Sequence, residues 1–264
     1  MLGQIKNCDA CGKLFDESLE CCPQCLSVNK DVKKNLKKGF YLSRITQIIL
    51  FVVGLFGYMA LNFAIGLMIA PAFKEQTATY TAIVVFTSYG ILFLTFVIAV
   101  FPYKKIIFNN FKNGYSYLFG ILFAIGIAGF SILYSNFLQY VCHIGVNENQ
   151  QSAVQLIKTF PILSVFILGI IGPICEELTY RVGLFSLCSR YKRWLAYIIS
   201  CVIFGFIHFD FTAKDMIVEW CNLPNYIISG LLFCLAYDLF GLPCSFVAHA
   251  LNNLYSVIIT IILG

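Results

Sequence analysis

The stretch Gly172-Pro-Ile-Cys-Glu-Glu-Leu-Thr-Tyr-Arg-Val-Gly183 places two glutamates and an arginine inside a long apolar segment, 160–189. Similar apolar segments recur along the 264-residue chain, of which 59% is hydrophobic and only 12% charged. A soluble domain carries about a quarter charged residues, whereas a helix needs about 20 apolar residues to cross a bilayer. The runs are continuously apolar, which excludes transmembrane β-strands, because those alternate. The sequence therefore predicts an all-α polytopic membrane protein.

We predict about seven transmembrane helices. They cover residues 44–70, 79–101, 116–141, 160–189, 194–209, 225–240 and 243–263. The Gly172-Pro173 pair is expected to break or kink the fourth span, because proline lacks a backbone donor and clashes with the preceding turn. The fifth and sixth spans are short, so their ends could extend into the flanking residues.

The distribution of Lys and Arg predicts a cytoplasmic N-terminus, because cytoplasmic loops are enriched in these residues. Connections on one side hold twelve of them: Lys30, Lys33, Lys34, Lys37, Lys38, Arg44, Lys104, Lys105, Lys112, Arg190, Lys192 and Arg193. The opposite connections hold Lys74, Lys158 and Lys214. We therefore expect a multi-pass protein of the cell membrane with its C-terminus outside. The net charge of +5 comes from membrane borders and does not indicate nucleic-acid binding.

Residues 1–28 differ in kind from the apolar remainder. They contain two CxxC pairs, Cys8-Asp-Ala-Cys11 and Cys22-Pro-Gln-Cys25. Tetrahedral zinc takes four thiolates from such pairs, and a reducing cytoplasm favours a metal over disulfides. The segment resembles a short zinc ribbon with one structural Zn²⁺, although Cys21 could replace Cys22. A basic linker, 29–43, follows, and the ribbon could recruit a cytoplasmic partner.

Polar and ionisable residues recur inside three of the apolar spans. They are Glu176, Glu177 and Arg181 in the fourth, His208, four residues after the apolar Phe204, in the fifth, and His249 with Asn253 in the last. Such groups are costly in a bilayer and indicate function. Residues four apart share one face of a helix. A rise of 1.5 Å per residue places the three groups at similar depths, as one shared site requires.

The three motifs, in this order on separate spans, resemble those of the CAAX protease and bacteriocin-processing family of intramembrane endopeptidases. They read EExxxR, FxxxH and HxxxN, and the resemblance covers about residues 115–264 of a membrane domain at 44–264. Tyr180 precedes the arginine where the family often has phenylalanine. Asn252 leaves the identity of the asparagine open, although the family spacing favours Asn253. A small chain with a ribbon is more typical of prokaryotic members.

The resemblance implies an intramembrane glutamic endopeptidase that hydrolyses a peptide bond of a peptide or membrane-tethered protein. In that family's chemistry, Glu176 is the general base and His208 helps to polarise the water. His249 and Asn253 would be the oxyanion donors. The i, i+4 spacing itself pairs Glu177 with Arg181 as support. Phe204 would pack beside the site, and no cofactor is expected there.

Three other interpretations stay open from the sequence. The same Glu and His residues could ligate a catalytic zinc, although the chain has no HExxH motif. The fold could act as a non-catalytic membrane scaffold or a bacteriocin-immunity protein. Glu and His residues within spans could also relay protons in a transporter. If the chain is a peptidase, bacterial peptides or membrane proteins are more expected substrates than prenylated ones.

Overall fold

The computed structural model of the protein describes residues 5–16, 22–25, 42–73, 75 and 77–263. Within these residues, two short antiparallel strands precede eight helices. They are β1 (Ile5–Asn7), β2 (Leu14–Asp16), α1 (Arg44–Ala72), α2 (Ala78–Asn110), α3 (Gly114–Val141), α4 (Glu148–Thr159), α5 (Pro161–Ser189), α6 (Arg193–Phe206), α7 (Met216–Phe240) and α8 (Leu242–Leu263). The predicted basic linker lies outside the described residues apart from 42–43, as do Cys21 and Lys74.

Six of these helices are long and apolar enough to cross a membrane, which confirms the α-helical membrane architecture. They are α1, α2, α3, α5, α7 and α8. The predicted fifth span differs, because α6 has only 14 residues and ends at Phe206. Its length is about 21 Å at 1.5 Å per residue, which is short of the hydrocarbon core of about 30 Å.

The predicted sixth span begins earlier than expected. Helix α7 starts at Met216, because the Asp215 side chain caps it by accepting hydrogen bonds from the backbone N–H groups of Ile217 and Val218. Such a cap satisfies donors that have no partner within the helix. Pro224 then lies inside the helix instead of before it. The apolar pattern alone placed the start at residue 225.

Helix α5 continues through Gly172-Pro173 and is not broken there. Its winding widens to a π-helix at Ile167–Ile171, where the Gly172 N–H bonds to the Ile167 carbonyl. A second π-helical segment follows at Glu177–Phe185, and all nine of its residues are buried. Proline cannot continue an ordinary helical ladder, and π-helical turns within α-helices are rare but are frequently found at functional sites. The helix therefore changes its winding near Pro173 and does not show the expected break.

Helix α1 approaches α5 closely at two glycines. A Cβ at Gly54 would lie 1.9 Å from Thr179 Oγ1, and one at Gly183 would lie 2.9 Å from the Phe51 backbone nitrogen. Lipid gives apolar surfaces little reason to associate, so membrane helices depend on close packing at small residues. This contact fixes the buried π-helical segment of α5 from one side.

The outward surface of the helices is apolar. Large side chains such as Phe63, Met68, Ile98 and Leu133 are exposed. In water such a surface would drive association, whereas in a bilayer it meets lipid tails. A polar contact joins the start of α1 to the end of α5, where Arg190 Nε donates to Gln47 Oε1 at 3.0 Å.

Gly54→Ala should destabilise the protein by about 1–3 kcal/mol, because the new methyl group overlaps Thr179 and forces α1 away from α5. Unfolding in mixed detergent micelles measures the change. Gly90→Ala is the matched control, since a Cβ there meets nothing within 4 Å. Equal stability of the two variants would contradict the close packing of α1 on α5.

Candidate active site

Glu177 is the centre of a buried ionic cluster. Its Oε1 lies 3.5 Å from Arg181 Nε and 2.9 Å from His249 Nδ1, and the Glu177 and Arg181 side chains are fully buried. The pair expected from the i, i+4 spacing is therefore present. The contact with His249 was not expected, because that histidine was assigned only to the oxyanion. Three ionisable groups from α5 and α8 thus meet away from solvent.

Glu176 occupies the other side of the same histidine. Its Oε1 accepts a hydrogen bond from the Tyr89 hydroxyl at 2.9 Å, and its Oε2 lies 3.6 Å from His249 Nε2. An ionised carboxylate can only accept, so Nδ1 of a neutral His249 carries the proton and points it at Glu177. The Nε2 atom then faces Glu176. His249 therefore lies between two carboxylates, with one ring nitrogen directed at each.

Aromatic rings surround the Arg181 guanidinium. Its central carbon lies 4.4 Å from the Phe204 ring centroid and 5.2 Å from that of Phe233. The Phe233 ring also stacks on His249, with centroids 4.3 Å apart. Ring faces attract a desolvated cation, so these contacts supplement the Glu177 carboxylate that pairs with Arg181. Phe204 accordingly contacts the charged cluster itself.

His208 lies two residues beyond the end of α6, in a turn. The prediction that it shares a helix face with Phe204 is therefore not met, although the two rings still touch with centroids 5.1 Å apart. The Phe204 ring also lies 5.8 Å from the His249 ring. On its other side, His208 stacks on Tyr226 at 4.6 Å. Phe204 is thus in ring contact with both histidines.

Asn253 connects α8 to α5. Its Nδ2 donates to the Leu168 carbonyl at 3.1 Å, within the first π-helical segment of α5. An amide group carries two N–H donors, so one bond to a carbonyl leaves a second donor for another acceptor. Asn253 lies one helical turn after His249 on α8.

No sequence motif indicates Tyr89 as a residue of this site. It lies on α2, outside the motif-bearing segment, and is one of fifteen tyrosines in the chain. Its ring packs on Tyr58 of α1, with centroids 4.7 Å apart. Its position near the middle of an apolar span does predict a hydrogen-bonded hydroxyl, because a buried tyrosine hydroxyl usually has a partner. The identity of that partner depends on how α2 packs against α5.

The four predicted zinc ligands come together at the N-terminal hairpin. The sulfur atoms of Cys8, Cys11, Cys22 and Cys25 all lie within 4.8 Å of one another. The Cys8–Cys25 and Cys11–Cys22 sulfur distances are 3.5 and 3.7 Å. Zinc–sulfur bonds of about 2.3 Å in a tetrahedron place the sulfurs about 3.8 Å apart. The four thiols could therefore bind a metal ion of this kind.

Comparison with known proteins places the motif-bearing segment in a family of membrane proteases. Residues 158–255 match the family model described as "Type II CAAX prenyl endopeptidase Rce1-like". The matched segment contains all seven residues of the three motifs. No solved structure matches the chain.

Three relatives carry the comparison further. "Putative membrane peptidase YdiL" of Bacillus subtilis is 40% identical over 34% of this chain and 34% of its own length. "UPF0177 protein YbdI" of Lactococcus lactis is 31% identical over 46% of this chain and 70% of its own. An "Uncharacterized protein" of Mycoplasma capricolum is 27% identical over 62% of this chain and 52% of its own. The match thus spans about half or less of the Bacillus and Mycoplasma relatives.

Glu177→Leu should destabilise the protein by about 3–5 kcal/mol, because it leaves the Arg181 charge buried without its carboxylate. Unfolding in mixed micelles measures the loss. The double variant Glu177→Leu with Arg181→Met is the control, and it should recover part of the stability because no uncompensated charge remains. A single variant as stable as the wild-type protein would contradict the ion pair.

Proposed function

Since this chain belongs to the Rce1-like CAAX protease family, we propose that it is an intramembrane glutamic endopeptidase acting on a peptide or membrane-tethered protein. The family and its peptidase relative support a protease-like function in a lipid bilayer. The observation that carries the mechanism is the position of His249 between Glu176 and Glu177.

The two glutamates have different roles in this proposal. The Glu177 side chain is fully buried and engaged by Arg181 and His249, whereas the Glu176 side chain is 13% exposed. A general base must reach the water whose proton it takes. Glu176 is therefore the base, and the Tyr89 hydroxyl holds one of its oxygens in place. Glu177 fixes the orientation and tautomer of His249.

Hydrolysis proceeds by addition of water to the scissile carbonyl. Glu176 accepts a proton from the water as its oxygen bonds to the carbonyl carbon. The carbon–nitrogen bond then breaks, and the proton passes from Glu176 to the leaving amine. His208, beyond Phe204, polarises the water. No residue of the chain becomes covalently attached to substrate.

The developing oxyanion requires donors in a site that excludes water. His249 supplies Nε2–H in its imidazolium form, in which both ring nitrogens are donors and Nδ1–H points at Glu177. Asn253 supplies the amide N–H that does not bond to Leu168. These two residues lie one turn apart on α8, so a single helix presents both donors.

The proposal also covers the zinc ribbon and the orientation of the chain in the membrane. The four cysteines bind a structural Zn²⁺, which holds together a segment too small for a core of its own. The N-terminus is cytoplasmic, from the excess of Lys and Arg on that side. Helix α6 and residues 207–215 together cross the membrane between the end of α5 and the start of α7. The C-terminus then lies outside, and the ribbon is available to a cytoplasmic partner.

Glu176→Gln should lower peptide cleavage at least about 100-fold, because it removes the base while keeping the side chain's shape. The measurement is mass spectrometry of a membrane-peptide panel incubated with the purified protein in liposomes. Asn253→Ala should lower cleavage by a similar order, whereas its neighbour Asn252→Ala is the matched control.

Undiminished cleavage by Glu176→Gln would contradict the assignment of the base. Absence of any cleavage by the wild-type protein would favour a membrane scaffold or immunity protein. Reversal of the two asparagine results would assign the oxyanion donor to Asn252.

Cys11→Ser should reduce the zinc content of the purified protein from one ion per chain to near zero, because three thiolates bind zinc far less tightly than four. Elemental analysis measures the content, and the exposed Cys142→Ser is the control. Cleavage should survive chelation of the ribbon metal in the wild-type protein. Loss of cleavage from a Cys11→Ser variant on adding a chelator would instead indicate zinc at the Glu and His residues.

A further inference from the structure

A second buried carboxylate lies beside the loop that carries His208. Glu219, in the first turn of α7, is 1% exposed. Its Oε1 accepts from the Glu148 backbone N–H at 2.9 Å. Its Oε2 accepts from the Asp210 backbone N–H at 3.1 Å and from Asn147 Nδ2 at 3.3 Å. Donors from the start of α4 and from the α6–α7 connection therefore converge on one carboxylate.

Asn147 uses both ends of its amide in the same network. Its Oδ1 accepts from the Gln150 backbone N–H, which caps α4, and from the Tyr226 hydroxyl at 3.0 Å. Its Nδ2 donates to Glu219 and also to the His208 carbonyl at 2.9 Å. The amide has two acceptor and two donor positions, and these four contacts occupy them all.

The network holds His208 at its main chain and at its ring. Asn147 bonds to the His208 carbonyl, and Glu219 bonds to the N–H two residues later. The Tyr226 ring stacks on the imidazole with an interplanar angle of 19°. His208 lies past the end of α6, in a turn where its N–H bonds to the Gly205 carbonyl at 3.1 Å. A reacting group on a loop needs such support, because small displacements cost large factors in rate.

We propose that Glu219, Asn147 and Tyr226 are positioning residues for His208. This proposal rests on the proposed endopeptidase function, because the three residues affect the cleavage rate through His208 of that active site. Glu219 aligns Asn147, Asn147 fixes the main chain of His208, and Tyr226 sets the plane of the imidazole. A network that served only to join α4 with α7 would not require a ring stacked on the histidine.

The first test is coupling between Glu219 and His208. Glu219→Gln keeps the volume but turns an acceptor oxygen into a donor that faces other donors. It should lower kcat about 10-fold with little change in KM, since it affects the reacting geometry and not substrate binding. In a His208→Ala background the same change should cost less than about 2-fold, because residues that act through one another are not additive.

Glu148→Gln is the matched control. It makes the same chemical change at the residue next to Asn147, and the Glu148 contact to Glu219 comes from its backbone N–H, which the substitution keeps. Tyr226→Phe removes the hydroxyl and keeps the stack, whereas Tyr226→Leu removes both. If Glu219→Gln fails to fold, this tyrosine pair still tests the proposal, and Tyr226→Leu should be the slower of the two.

The second readout does not require cleavage. The chain has three histidines, so isotope labelling resolves the His208 ring in NMR spectra, with His208→Gln for assignment. Tyr226→Leu should remove the Tyr226 contribution to the ring-current shift of the His208 signal and leave the His249 signal in place.

The outcomes separate the two proposals. A wild-type protein that cleaves nothing but shows these shifts keeps the positioning role and overturns the peptidase function. Equal rates and spectra for Glu219→Gln and Glu148→Gln, or full additivity with His208→Ala, would overturn the positioning role.

Discussion

The buried contact of Glu177 with Arg181 and His249 is the constraint on which the rest of the site depends. Charges in a low-dielectric interior are tolerated only when they are paired and well oriented. One carboxylate here serves a guanidinium on its own helix and an imidazole on α8, which fixes the two helices relative to each other. The rings of Phe204 and Phe233 complete the surroundings of the cation. Gly54 and Gly183 then allow α1 to close over the same segment.

This arrangement makes two adjacent glutamates unequal. Glu177 is engaged in the ion pair, and Glu176 retains limited exposure and a fixed hydrogen bond from Tyr89. Helix α5 is π-helical on both sides of Pro173 and Glu176, and it continues past this proline without a break. In the proposed chemistry, Glu177 thus stabilises the buried cluster, Glu176 reacts with the water, and His249 lies between the two glutamates.

Local patterns of the sequence were sufficient for the membrane class, the Glu177–Arg181 pair and the four-cysteine cluster. Each depends on residues close together in the chain or on the length of an apolar run. Tyr89, the Glu219–Asn147 network and the contact of His249 with Glu177 join residues that are far apart in sequence, so no spacing rule indicates them. The end of α6 at Phe206 was also missed, because the apolar run continues beyond the helix. The roles assigned to Glu176, His208, His249 and Asn253 remain proposals.

In the proposed mechanism, Glu176 activates a water that attacks the peptide bond directly. The most direct measurement is a single turnover in ¹⁸O-labelled water, with mass spectrometry of both the peptide products and the intact protein. We expect one heavy oxygen in the new carboxyl terminus and no mass added to the protein at any time. A transient protein adduct with the mass of the N-terminal fragment would contradict it, because it would place a nucleophilic side chain such as Cys175 at the reaction.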